Sequence, residues 1–164
     1  MHAFEPTAET KHDLRNALGL FGTGVTIVTT AVEGKPVGIT VNSFTSVSLD
    51  PALVLWAPAK ASLRFATFET APHYAIHVLE HSQTDLASLF ARNAEDFSTC
   101  DWQMNEHGVP VIGKAVARFE CERLSSHDGG DHAIVVGRVL RAINFGGDPL
   151  MFVSGEFGRF QGAA

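Results

Sequence analysis

The chain breaks into strand-like runs with very little helical sequence between them. Val25 to Val32 is rich in β-branched residues, and Ala52 to Ala57 is an apolar run, read as a strand buried on both faces, that stops before Pro58. His73 to Leu79 sets Tyr74, Ile76 and Val78 against His73, Ala75 and His77. Ala115 to Arg123 gives the cleanest period of two, with Ala117, Phe119 and Cys121 inward and Arg118, Glu120 and Glu122 wet. Gly38 to Pro51, His132 to Asn144 and Leu150 to Val153 bring the set to about seven. Glu33-Gly34-Lys35-Pro36, His127-Asp128-Gly129-Gly130 and Phe145-Gly146-Gly147-Asp148-Pro149 are turn chemistry, and the first predicts a hairpin.

Helical spacing occurs in only three places. Thr7 to Leu20 carries Leu14, Ala17 and Leu18; Ser62 to Phe68 opens on a serine; Ser82 to Ala91 places Ser82 and Asp85 in capping-box spacing ahead of Leu86, Leu89 and Phe90. Strands that cluster without alternating helices predict a mainly β fold, an antiparallel closed barrel with a few covering helices, and not a doubly wound sheet. Asp101 to Gly113 reads as a covering loop. No internal repeat appears, and 164 residues make most simply one domain, 1–164.

Composition narrows the partners. A hydrophobic fraction of 45% with 18% charged residues fits a well-filled core, and a net charge of −6 without a Lys or Arg run excludes a nucleic-acid or anionic-membrane surface. A small molecule or another protein is the expected partner. Glu5, Glu9, Lys11, Asp13 and Arg15 stand where a secretory signal would be apolar, and no run approaches the ~20 residues that span a bilayer, so a cytoplasmic protein is expected. Cys100 and Cys121 then read as reduced thiols, Cys121 as core filling.

Within Gly38 to Pro51, Thr40 and Asn42 share one strand face while Ser43 and Thr45 lie on the other, among Val41, Phe44 and Val47. Asn is a poor strand residue. Such a mixture suits either a polar edge strand or a flat, heteroatom-edged ligand held by hydrogen bonds at its rim and apolar contact on its faces. Pro58 to Arg64 places a Ser62-capped helix start between Lys60 and Arg64, which is either a phosphate site or an ordinary surface helix. Gly129-Gly130-Asp131-His132 puts an imidazole and a carboxylate at the mouth of a strand, either to meet a ligand or to finish a turn. Cys121, His127 and His132 match no structural zinc spacing, and no metal is expected. A dinucleotide Gly-x-Gly-x-x-Gly, a P-loop and a Gly-x-Ser-x-Gly elbow are all lacking.

Taken in order, Thr23 to Thr30, Gly38 to Pro51, Gln83 with Leu86-Ala87 and Phe90-Ala91, and Gly130-Asp131-His132 with Val136 to Val139 resemble the short-chain flavin reductases of the FMN-binding split-barrel fold. The likeness runs from about Leu14 to Phe160. It implies an antiparallel Greek-key split β-barrel, a homodimer that binds FMN or FAD near the subunit interface, reduction by NADH or NADPH, and a flavin-dependent monooxygenase that takes the reduced flavin. The flavin contacts it implies are Gly24 and Val25, Thr40, Val41, Asn42 and Ser43, Ser46, the loop from Ala57 through Lys60 and Ala61 to Ser62, Phe90 and Ala91, with Phe97 close by. His132 is the implied catalytic residue, meeting the nicotinamide together with Asp131 and Phe157. Three positions depart from the family, which usually has Pro at Gly22, often Pro at Ala52, and Asn at His77. The resemblance leaves room for a tightly flavin-bound oxidoreductase or a non-catalytic flavin-binding module.

Overall fold

A computed structural model of the chain describes residues 2–162. Its largest sheet has the order β3-β2-β6-β9-β10-β5-β4, with every neighbouring pair antiparallel. These strands are β2 (Thr26–Val32), β3 (Lys35–Val41), β4 (Thr45–Leu49), β5 (Ala52–Trp56), β6 (His73–Val78), β9 (Ala117–Gly129) and β10 (His132–Asn144). The predicted hairpin joins β2 to β3 through Glu33 and Gly34, both at positive φ (51° and 77°), as a type I′ two-residue turn requires. Side chains from β2, β3, β5, β6, β9 and β10, among them Val28, Val37, Trp56, Tyr74, Cys121 and Val135, pack into one core, so the sheet curls around it.

The ladder does not close. β3 and β4 are consecutive in the chain yet form the two opposite edges of the sheet, and Asn42, Ser43 and Phe44 carry the backbone across the gap between them. The stretch read as one strand from Gly38 to Pro51 is therefore two, broken at the residues least suited to a ladder. The closed barrel expected from strand clustering is a split one. β5 is buried on one face only; Leu53 and Leu55 remain partly accessible because its outer neighbour β4 is an exposed edge.

Outside the barrel lies a second core. α3 (Thr84–Arg92) inserts Ala87 and Phe90 against Val25, Ile27, Leu79, Phe97, Ile112 and Leu150. Gly38 permits this approach, since a Cβ there would stand 2.6 Å from the Phe90 ring. The Ser82 capping box does not form: Gln83 is the N-cap, Ser82 bonds the Glu80 carboxylate, and Gln83 Oε1 accepts the Glu80 N–H at 2.8 Å. α1 (Lys11–Gly19) buries none of its residues and leaves Leu18, Leu20 and Phe21 exposed.

Two further sheets were not legible as such. The expected covering loop is a hairpin of β7 (Trp102–Met104) and β8 (Pro110–Ile112). It accounts for a second correction: Glu120, assigned to a wet face, is 2% exposed, accepts from Asn105 Nδ2 at 2.8 Å and pairs with Arg118 at 3.1 Å. β1 (Thr23–Gly24), β11 (Leu150–Val153) and β12 (Glu156–Arg159) form a small sheet against the mouth of the split. Cys121 is buried and unpaired, and burial pushes its thiol pKa up to about 12.

Candidate functional site

A cleft of about 210 Å³ opens where β3 ends. Thr40, Val41 and Asn42 form one side, Ala87 and Ala91 of α3 another, and Phe152 and Phe157 of the β11–β12 hairpin a third, with Val25 between them. Ala87 and Ala91 are four residues apart and so share a helix face, where small side chains leave the space open. The lining is apolar apart from Thr40 and Asn42. Thr40 Oγ1 donates to Ala87 O at 2.7 Å, which fixes α3 on β3 and leaves that oxygen able only to accept. Asn42 is exposed, with an amide that can both donate and accept. Slot-like apolar walls with an amide and a hydroxyl at the rim fit a flat aromatic heterocycle.

One residue further on, the chain ties this cleft to the turn that carries His132. Ser43 Oγ accepts the Ala57 N–H at 2.9 Å and donates to Ala57 O at 3.2 Å. Past Ala57, Pro58 O accepts from Ala133 N at 3.1 Å and Lys60 N donates to Asp131 O at 2.9 Å, an isolated bridge that pairs Ala59 with His132. The turn at the start of β10 is thus docked on the loop that follows β5. Gly130 supplies its positive φ of 78°. His132 is half-buried, and its Nδ1 lies 2.8 Å from Asp131 Oδ1. That hydrogen bond, with the imidazole's charge when protonated, holds the Asp131 carboxyl below its usual pKa. The Lys60 ammonium pairs with Asp128 on the same turn.

The helix start expected at Ser62 lies further along the chain. α2 begins at Phe65 and has six residues, Arg64 is its N-cap, and Ser62 Oγ only accepts Arg64 N at 3.3 Å. Arg64 turns away from any helix start: its guanidinium donates to Phe90 O at 2.7 Å, Ala91 O at 3.2 Å and Gly38 O at 3.4 Å, closing the carbonyl end of α3. The rings of Phe90 and Phe97 are buried and meet edge to face at a centroid distance of 4.7 Å, behind the helix end that carries Ala91.

The remaining residues fall in separate places. Val25, Thr40, Val41, Asn42 and Ala91 converge on the cleft, and Phe157, expected beside Asp131 and His132, lines this cleft with them instead. Ser43, Ala57, Lys60, Asp131 and His132 belong to the docked loop and turn. Gly24 lies on β1, next in sequence to Val25, and a Cβ there would meet nothing within 4 Å. Ser46 and Ala61 are exposed on β4 and on the loop before α2, and Ser62 lines a different cleft with Leu63 and Arg64. Cys121 faces the barrel core while His127 is exposed beside Ser125, so a zinc site from them does not form. Ala87 and Phe152 were missed. The Ala87–Ala91 spacing could have revealed the first; nothing local marks the second, which arrives through the β1–β11 pairing.

Residues 18–161 match the family described as flavin reductase like domain. The FMN reductase (NADH) SmoA of Agrobacterium fabrum strain C58 is 55% identical over 160 residues, covering 98% of this chain and 92% of that protein. The reductase component of a flavin-dependent trigonelline monooxygenase from Acinetobacter baylyi is 42% identical over 147 residues, 88% of this chain; the chain spans about half of that protein's length (47%). Among solved structures, the Streptomyces globisporus NADH:FAD oxidoreductase SgcE6 in complex with NAD and FAD fragments superposes with a TM-score of 0.89 at 38% identity, covering 97% of this chain and 98% of that one.

Proposed function

The chain belongs to the flavin reductase-like domain family, and on that footing we propose that it is an NAD(P)H-dependent flavin reductase, passing hydride from NADH or NADPH to FMN or FAD. The observation that carries this reading is the cleft at the split: it is apolar, rimmed by Thr40 and Asn42, and continuous through Ser43 with the loop that seats His132. A bound flavin supplies the hydride acceptor there. The chain's own work is positional. Val41, Ala87, Ala91, Phe152 and Phe157 exclude water from the ring faces, and Asn42 fixes the polar edge. His132, oriented by Asp131, holds the nicotinamide. No residue is needed as a nucleophile.

The reduced product goes to a flavin-dependent monooxygenase, a partnership supported by the similarity to a monooxygenase reductase component. A homodimer is supported by apolar surface that one copy leaves open, including Leu49 at 94% and Phe21 at 79% exposure. No described helix is long and apolar enough to cross a membrane.

Two measurements check this. NADH oxidation by the purified protein is expected to rise when free FMN or FAD is added; a rate indifferent to both flavins defeats the assignment. Asn42 is exposed and outside the strands, so Asn42→Trp should fold normally while its bulk enters the cleft. Flavin titration should show at least a ~10-fold weaker Kd, about 1.4 kcal/mol. Unchanged affinity would place the flavin elsewhere.

A further inference from the structure

We infer that Lys60 and Asp128 form a positioning clamp for His132 and are not ligands of a phosphate. The inference rests on the reading of His132 as the nicotinamide contact. Lys60 lies on the loop after β5, docked against the turn that carries His132, and its ammonium is already engaged by the Asp128 carboxylate. Asp128 is the fourth residue before His132, across the two-residue turn of Gly130 and Asp131. The β9–β10 hairpin projects this turn from the sheet, and at its tip the contacts back to the molecule are Lys60 N to Asp131 O, Ala133 N to Pro58 O, and the Lys60–Asp128 ion pair. The first two fix the height of the turn on the loop. Both run along the β10 side of the hairpin; on the β9 side the Asp128 ion pair stands nearest the tip, ahead of the Ser126 to Glu69 hydrogen bond at 3.4 Å. The ion pair therefore resists rotation of the tip about β10, the motion that would swing the His132 ring. Lys60 also lowers the Asp128 pKa by hydrogen bond and charge, so the carboxylate stays ionised further into acid than a free Asp.

The pair has the standing of a positioning device because its direct energy is small. Both partners are substantially exposed, and such a pair contributes little to global stability. Its effect should appear in how the second substrate is held, with the flavin cleft untouched, since none of the described cleft-lining residues hydrogen-bonds either partner's side chain.

Steady-state kinetics of Lys60→Glu, Asp128→Lys and the reversed pair carrying both substitutions test this, with His132→Ala as the reference. Each single variant should raise the nicotinamide KM by up to about fivefold, the ceiling for an exposed ion pair. The flavin Kd should stay at the wild-type value, and the reversed pair should restore the nicotinamide KM. Loss in both Lys60→Glu and the reversed pair, with Asp128→Lys at or below the wild-type KM, would make Lys60 a direct ligand and overturn the clamp. Silent single variants alongside an impaired His132→Ala would overturn the clamp alone. A nicotinamide KM unmoved by His132→Ala would remove the reading of the turn and the clamp with it.

Discussion

Gly137→Ala is expected to destabilise the protein by about 3 kcal/mol or more, the upper end of the cost of overpacking a dense core. Gly137 sits at a register shift in β10, and a Cβ built on it would lie 2.0 Å from the Tyr74 hydroxyl oxygen, 2.9 Å from Tyr74 Cζ and 3.2 Å from Glu122 O. None of these neighbours can yield easily. Tyr74 is 1% exposed and packed on Trp56, and Glu122 O is backbone. β10 also launches the His132 turn, so a shifted strand should impair nicotinamide binding in whatever fraction still folds. Urea unfolding checks the size of the effect. Adding Tyr74→Phe removes the closest clashing atom and should recover part of the loss; an alanine variant as stable as the wild type would mean that β10 and β6 are not packed as described.

Acid should unfold the protein partly through one histidine. His77 is fully buried on β6, where its Nδ1–H donates to Ile27 O at 3.0 Å and its Nε2 accepts the Ile112 N–H at 3.0 Å, so the neutral ring joins β2 to β8. Burial, reinforced by Arg118 and partly offset by the Ile27 carbonyl, lowers its pKa from 6.5 to about 4. Because the folded pKa lies below the unfolded one, the unfolded chain binds the extra proton between these values. The stabilisation is complete above pH 6.5 and is lost as pH falls towards 4, a total on the order of 3 kcal/mol. His77→Asn cannot take up this proton. Across that window its unfolding free energy should fall by that much less than the wild type's, whatever its absolute stability; parallel pH profiles would contradict the role.

The architecture was legible where a local signal sufficed. Period two located β6 and β9, and Glu33-Gly34 located the first hairpin. What remained hidden depended on partners distant in sequence. Nothing in the alternation of Arg118, Glu120 and Glu122 announces that the β7–β8 hairpin covers that face, with Asn105 supplying the hydrogen bond Glu120 needs. Likewise, Lys60 and Arg64 read as two free cations beside a serine, yet one is taken by Asp128 across the hairpin and the other by the carbonyl end of α3. At the site, the polar tract around Asn42 was visible because amides and hydroxyls are out of place in a strand. Those residues carry the chain across the split, and Ser43 anchors the Ala57 loop. The aromatic wall of Phe152 and Phe157 could be found only through the pairing of β1 with β11.

The central claim is that the flavin ring occupies the cleft at the end of β3, with the His132 turn reserved for the hydride donor. Backbone amide chemical shifts recorded during a flavin titration test it most directly. The predicted result is that the largest changes fall on Thr40, Val41, Asn42, Ala87 and Ala91, and that His132 moves chiefly when a nicotinamide nucleotide is then added. Changes confined to the cleft between α3 and Ser98–Asp101, or to the one beside Leu63 and Thr67, would contradict it.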